Sequence, residues 1–149
     1  MGYSPLTLAA LGQGNDMADR SVEGIADCLS AARSIAVTDG GTSGAQFALL
    51  LQKLRLDAQV QSKVELLPGG GPMAALLAGE VDLAVLPLTN VAPVTGVTGK
   101  AICPHELDVH VDLGFCLHQD ANKATRAFAD WLLDPKQVDT LARLGVERI

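Results

Sequence analysis

Aromatic residues are scarce in this chain of 149 residues. Phe, Trp and Tyr make up 3% of the sequence, whereas hydrophobic residues as a whole make up 48%. A core built mainly from Ala, Leu and Val favours helices packed on a sheet, because small and branched side chains interdigitate well there. A chain of this length buries roughly 68–70% of its unfolded surface on folding. The sequence therefore predicts one α/β domain over residues 1–149 that needs neither disulfides nor a metal for its core.

Cysteines and long apolar runs are also few. The three cysteines, Cys28, Cys103 and Cys116, are too few for a disulfide-stapled domain and are predicted to be mostly buried thiols. No stretch approaches the ~20 apolar residues of a membrane-spanning helix, so membrane insertion is not expected. The N-terminus also lacks the charged, apolar and small-residue segments of an export signal, which by itself predicts a cytoplasmic location.

Positive charge is in deficit. The formal net charge is -6, and no run of Lys or Arg offsets it locally. The negative electrostatic field of such a chain repels the phosphate backbone of nucleic acids, so nucleic-acid binding is not expected.

A strand, a turn and a helix follow one another repeatedly along the chain. Short β-prone runs are predicted at 6–11, 34–38, 64–67 and 82–86, and an amphipathic helix is predicted to begin after an N-cap at Ser21. Helices between strands indicate right-handed crossovers. We therefore expect a three-layer fold with a mostly parallel sheet and helices on both faces.

The C-terminal third has a different pattern. Residues 87–100 read as a loop, and alternation from Val109 to Leu117 predicts a half-exposed strand. A helical stripe that includes Phe128 and Trp131 is predicted to pack on the sheet. Asp134 with Pro135 is predicted to start a last helix, which Gly145 ends.

Two glycine-rich turns carry the strongest chemical signal. Each is predicted to join the carboxyl end of a strand to a helix, where unpaired N–H groups and the helix dipole attract anions. The predicted anion cradle comprises Gly41, Thr42, Ser43 and Gly44 in the first turn, and Gly70 and Gly71 in the second. The alternative is that the glycines only permit tight turns and that Ser43 only caps its helix. Neither turn matches a nucleotide-binding fingerprint.

Six potential metal ligands lie close together in the sequence: Cys103, His105, His110, Asp112, Cys116 and His118. Ligands two residues apart on a strand are ~6.6 Å apart, which suits one zinc ion poorly. A polar strand face with Cys116 partly buried is therefore expected, with no metal. Ser43 does not lie in the G-x-S-x-G turn of a hydrolase nucleophile.

Several stretches in the correct order resemble the type II periplasmic solute-binding proteins, especially their molybdate-binding-like branch. They are Ser21 to Ile25 leading into Ala31 to Ala36, the turn Gly41 to Gly44, Ala78 to Ala84, and Arg126 to Pro135. The resemblance implies a ligand-binding lobe over 19–92, and a hinge return strand and C-terminal helix pair over 93–149. It also implies a ligand held by N–H and hydroxyl groups without a metal or organic cofactor. By position it adds Thr89, Asn90 and His110 to the candidate ligand-binding residues.

The chain departs from that family in lacking most of the N-terminal lobe. The resemblance therefore implies that the helices after Asp120 expose Phe128, Trp131 and Leu132, so self-association is expected. It also implies transport of a small anion, such as an oxyanion or organic acid, a periplasmic location, and an ABC transporter permease as a candidate partner. The alternative function is an isomerase or dehydratase on a small carboxylic acid, with Ser43 or His110 as general acid or base.

Overall fold

The computed structural model describes residues 2–12 and 18–148. In these ranges the strands are β1 (Gly2–Leu11), β2 (Ile35–Thr38), β3 (Val64–Leu67), β4 (Leu83–Pro87), β5 (Val97–Ile102) and β6 (His110–Leu113). The helices are α1 (Val22–Ala31), α2 (Thr42–Leu54), α3 (Asp57–Val60), α4 (Gly71–Leu77), α5 (Leu88–Val91), α6 (Lys123–Leu133) and α7 (Val138–Arg143).

The six strands form one mixed sheet. Its order is β3-β2-β4-β1-β5, and β6 pairs with β1. Strand β2 lies parallel to β3 and β4, whereas β1 runs antiparallel to β4, β5 and β6. The predicted α/β class is confirmed. The expectation of a mostly parallel sheet was wrong, because β1 pairs antiparallel with β4, β5 and β6 and the sheet is parallel only among the three strands that helices connect.

Two predictions about strands were wrong for related reasons. Strand β1 begins at Gly2 rather than Leu6, because Tyr3 to Pro5 pair with β6 even though proline argues against a strand interior. Strand β5 occupies part of the predicted loop 87–100, because its Gly- and Thr-rich residues pair with β1. In both places pairing with a distant partner overrides local propensity.

Hydrophobic cores lie on both faces of the sheet. One contains Leu8, Val37 and Val85 with residues of α1 and α2, including Leu29 and Leu50. The other contains Ala9, Ala36, Ala84 and Leu86 with Leu76 of α4 and Val91 of α5. Neighbouring residues of a strand enter opposite cores, as the side-chain alternation of a strand requires. The predicted three-layer arrangement is confirmed.

The region after Val109 differs from the predicted nine-residue strand. Strand β6 ends at Leu113, and Phe115 and Leu117 after Gly114 are exposed. Cys116 is exposed as well, so the expectation that it is partly buried was wrong. Asp134 caps the next turn as predicted, because its carboxylate accepts a hydrogen bond from the Lys136 N–H at 2.8 Å.

The aromatic stripe of α6 does not pack on the sheet. Phe128 is 60% exposed and Trp131 is 52% exposed, whereas Ala129 is buried and Leu132 is half-buried. The predicted core packing of Phe128 and Trp131 was therefore wrong. The exposure of Phe128 and Trp131 agrees with what the family resemblance implied, whereas Leu132, which it implied to be exposed as well, is half-buried.

A bidentate ion pair joins the beginnings of β2 and β4. The Arg33 guanidinium donates to both carboxylate oxygens of Asp82, at 3.0 and 2.8 Å, and holds the pKa of that carboxyl at about 2, below its ordinary 3.8. Because the pKa of Asp82 is lower in the folded chain than in the unfolded chain, this pair stabilises the fold at pH values above the ordinary pKa of the carboxyl. That stabilisation is lost as the pH falls from about 4 to about 2.

We therefore expect Asp82→Asn to make the melting temperature depend less on pH in the acid range. The melting temperature of the unaltered chain should fall more steeply between pH 4 and about pH 2 than that of the variant. Asp139→Asn, which alters an exposed carboxylate on α7, should keep the slope of the unaltered chain. Equal slopes for Asp82→Asn and the unaltered chain would show that the pair does not stabilise the fold.

Gly145 ends α7 and contacts the start of α5. Its φ is +84°, and a Cβ there would lie 2.6 Å from the Leu88 carbonyl carbon and the Thr89 nitrogen. Gly96 has nearly the same φ, +83°, but a Cβ there would meet nothing within 4 Å. Gly145→Ala should therefore cost about 3 kcal/mol of unfolding free energy, against about 1 kcal/mol for Gly96→Ala, measured by urea denaturation. Equal losses would mean that Gly145 does not pack closely on α5.

Candidate functional site

Three strand ends meet at one edge of the sheet. Strands β3, β2 and β4 are neighbours and run parallel, so the turns that follow them all begin at their carboxyl edge. The first two turns are joined directly, because the Asp39 N–H donates to the Leu67 carbonyl at 2.8 Å. Carboxyl edges of this kind are where open α/β sheets hold their ligands.

The turn from β2 to α2 offers the most hydrogen-bond donors. Gly41 is the N-cap residue of helix α2, and no side chain caps this helix. The first hydrogen bond to the Gly41 carbonyl is donated by the Ala45 N–H. Within the described residues, no hydrogen bond is made by the N–H groups of Thr42, Ser43 and Gly44. Unpaired N–H groups at this end of a helix attract anions. The idea that Ser43 only caps the helix is wrong, because Gly41 occupies that position.

Close packing at Gly44 keeps these donors near the sheet. A Cβ at Gly44 would lie 2.3 Å from the Thr38 carbonyl oxygen, so only glycine lets α2 start so close to the end of β2. Ser43 is 9% exposed, one of three buried polar residues in the described part of the chain. Thr42, by contrast, is exposed. The turn therefore combines a buried hydroxyl, an exposed hydroxyl and three N–H groups.

The turn from β3 to α4 offers fewer donors. The Gly71 N–H donates to the Pro68 carbonyl at 2.8 Å, and Pro72 has no N–H. Gly70 has a φ of +83° and is exposed, as is Gly69. A Cβ at Gly71 would lie 2.7 Å from the Leu67 Cβ, so this glycine is needed for packing. The two turns share an edge, but they contribute unequally to a cradle.

The third strand end is tied to β1. The Thr89 N–H donates to the hydroxyl of Ser4 at 3.0 Å, and Ser4 is fully buried. Gly145 packs against Leu88 and Thr89, as described above. Asn90 is exposed. The Thr89 N–H is therefore already used in a hydrogen bond to Ser4. At this strand end only side chains remain as hydrogen-bond donors to a ligand.

His110 lies at the start of β6, opposite Pro5 of β1. Its ring stands 4.7 Å from the Tyr3 ring, and its Nε2 is 3.3 Å from a carboxylate oxygen of Asp112. Its Nδ1 is 3.7 Å from the Asp108 carboxylate. An anion at His110 would meet two carboxylates, so this geometry disfavours His110 as an anion contact.

The polar strand face predicted for this region holds His110 and Asp112 but does not extend to Cys116 and His118, because β6 ends at Leu113. Across the described ranges, no three His, Cys, Asp or Glu side chains are arranged to hold a metal ion.

Burial raises the pKa of the Cys103 thiol to about 12, which keeps it protonated and unreactive. None of the helices in the same ranges has the length and apolar character of a membrane span.

Ser4 is the residue near this edge that the sequence did not reveal. A serine inside an unpredicted stretch of β1 carries no local signal, and its partner lies 85 positions away. Pairing of β1 with β4 brings the two together, since Leu6 stands opposite Pro87 at the end of β4.

Hydrogen-bond donors at the carboxyl edge of the parallel strands of an α/β lobe are typical of a ligand-binding domain. Residues 1–147 match the family model of bacterial extracellular solute-binding proteins, and the chain belongs to that family. A comparison with curated proteins gave no match.

Solved structures share this fold. The "substrate binding domain of putative molybdenum ABC transporter" from Clostridium difficile has a TM-score of 0.70 at 16% identity, over 99% of this chain and 65% of the other. The periplasmic molybdate-binding protein of Azotobacter vinelandii has a TM-score of 0.58 at 17% identity, over 97% of this chain and 65% of the other. L-Phospholactate-bound PEB3 has a TM-score of 0.54 at 12% identity, over 99% of this chain and 67% of the other. The chain thus spans less than two thirds of the first two structures.

Proposed function

We propose that this chain binds a small anionic solute at the start of α2, as part of an ABC-type uptake system. The observation that carries the proposal is the group of three unpaired N–H donors of Thr42, Ser43 and Gly44 beside the hydroxyls of Thr42 and Ser43. These donors lie at the carboxyl edge of β2, where α/β folds hold ligands.

The chemistry of this group favours an anion. Helix α2 has 13 residues, and its dipole places partial positive charge at these N–H groups. His110 is set aside because two carboxylates flank it, and none of the remaining candidates carries a charged side chain: Gly41, Thr42, Ser43, Gly44, Gly70, Gly71, Thr89 and Asn90. Recognition by dipoles and hydroxyls suits an oxyanion or a carboxylate, whose oxygens accept several hydrogen bonds at once.

The names of the structural neighbours support the same class of ligand. Two are named for molybdenum or molybdate, and the third holds L-phospholactate. We extend the anionic character of these ligands, and not their identity, to this chain. The function of the family also supports a periplasmic or extracellular location and an ABC transporter permease as the partner.

The direct test is calorimetric titration with molybdate, sulfate, phosphate and small carboxylates. We expect at least one to bind, and Ser43→Ala to weaken that binding about tenfold or more, because one charge-assisted hydrogen bond is lost. Ser62→Ala is the matched control, since Ser62 is exposed and precedes β3 at the opposite edge of the sheet. Its affinity should equal that of the unaltered chain.

A bulky side chain at the second turn tests whether both turns face one ligand. A Cβ at Gly69 would meet nothing within 4 Å, so Gly69→Leu should fold normally, unlike a substitution at Gly71. If both turns face the ligand, Gly69→Leu weakens binding. The proposal fails if no anion binds, or if Ser43→Ala binds as well as Ser62→Ala. Conversion of a carboxylic acid during the titration, followed by NMR, would instead favour the isomerase or dehydratase alternative.

A further inference from the structure

A groove of about 430 Å³ begins beside the unpaired donors of α2. Its helical wall is formed by Gly44, Phe47, Ala48 and Leu51, whose spacing places them on one side of α2. Gly44 is also one of the three residues whose N–H groups make no hydrogen bond within the described residues. Ser43, which precedes it, is 9% exposed, and its hydroxyl also has no hydrogen-bond partner there. One end of the groove therefore lies at the proposed anion site.

The opposite wall of the groove is apolar and comes from the sheet. It is formed by Val37 of β2 and by Val64 and Leu66 of β3. In the described sheet β3 is an edge strand, and Leu66 is 60% exposed. An apolar group that enters the groove would bury the side chain of Leu66 and gain hydrophobic contacts on both sides.

The dimensions of the groove suit a small organic molecule. Ligand cavities usually have volumes of about 300–1,000 Å³. From Gly44 to Leu51 the groove follows α2 for about 10 Å, at ~1.5 Å per residue. A straight chain of about six to eight carbons has that length, given ~1.5 Å per C–C bond. An inorganic oxyanion would occupy only the end at Gly44.

The far end of the groove carries a negative charge. The Leu56 N–H donates to the Leu51 carbonyl at 3.0 Å, which holds the start of α3 at the end of α2. Asp57, the first residue of α3, lines the groove there together with Gln61. The Asp57 carboxylate repels a second negative charge on a ligand. The groove therefore suits an acid whose far end is uncharged.

The walls of this groove come from one short part of the chain. All of its lining residues lie between positions 37 and 66. Both ends of the described chain lie at β1, where Tyr3 pairs with Glu147, and β1 is three strands away from β3. A ligand that enters from the Gly44 end does not require the outer side of the groove to stay open.

We propose that the solute is an organic acid with one negative charge and an apolar tail, whose tail lies in the groove between α2 and β3. The acid group binds the N–H donors at the start of α2, and the tail extends along the helix towards Leu51. This inference rests on the proposed anion site and narrows its ligand from anions in general to amphiphilic acids.

A series of acids with increasing tail length tests the groove. In calorimetric titrations with propanoate, butanoate, hexanoate and octanoate, each added methylene should lower the dissociation constant about fourfold, since burial of one CH₂ contributes ~0.8 kcal/mol. Octanedioate should bind at least about fourfold more weakly than octanoate, because its second carboxylate approaches Asp57. Asp57→Asn should reduce that difference.

Filling the groove separates the tail from the acid group. Ala48 is exposed and lines the groove without belonging to the donor group, so Ala48→Leu should weaken the binding of hexanoate about tenfold or more. Propanoate should bind this variant as well as it binds the unaltered chain. Ala142→Leu is the matched control, because Ala142 is an exposed alanine of α7, and it should change neither affinity.

The outcomes distinguish the groove from the anion site itself. If neither a carboxylate nor an inorganic anion binds, the anion site fails and the groove proposal fails with it. If anions bind but affinity does not rise with tail length, only the groove proposal is overturned. The same holds if Ala48→Leu weakens propanoate as much as hexanoate, or weakens neither.

Discussion

Parallel pairing of β2 with both of its neighbours determines where the turns of the candidate site lie. Because β3 and β4 both run in the direction of β2, the three connections that follow these strands begin at one edge. The bond from Asp39 to the carbonyl of Leu67 fixes two of those connections side by side. Without this arrangement, glycine-rich turns separated by almost thirty positions would be unrelated features of the sequence.

That edge is asymmetric in its chemistry. The start of α2 keeps its N–H groups unpaired within the described residues, whereas the start of α4 uses one N–H in its own turn and lacks another at Pro72. The start of α5 is held by Ser4 and covered by Gly145. The same elements that stabilise the sheet therefore use up donors at two of the three strand ends. The first turn remains as the principal group of donors, and the proposed anion site is centred there.

The sequence pattern was sufficient to predict those helices and strands that depend on interactions between residues close together in the chain. The capped start of α1 at Ser21, the residues of β3 and the proline-led start of α4 all follow from side chains within a few positions. The failures occur where distant residues decide the outcome. The beginning of β1 and all of β5 form through pairing with each other and with β4 and β6, which no local pattern encodes.

The candidate site shows the same division. The glycines and hydroxyls of the first turn could be selected from the sequence, because strand, turn and helix follow one another there. The sequence could not show that the Gly71 N–H is used by Pro68 or that Ser4 binds Thr89. It also could not show that two carboxylates flank His110, since these distances exist only once β6 is formed. Unpaired donors can be counted only in the folded chain.

Amide NMR can locate a solute anion at the first turn of α2 residue by residue. In a titration of the ¹⁵N-labelled chain with the anion that binds, we expect the largest shifts at the N–H groups of Thr42, Ser43 and Gly44. The control amides of Ser62 and Asp139, which lie outside the candidate set, should not move. Shifts that appear elsewhere while the start of α2 stays unchanged would show that the anion binds at another site.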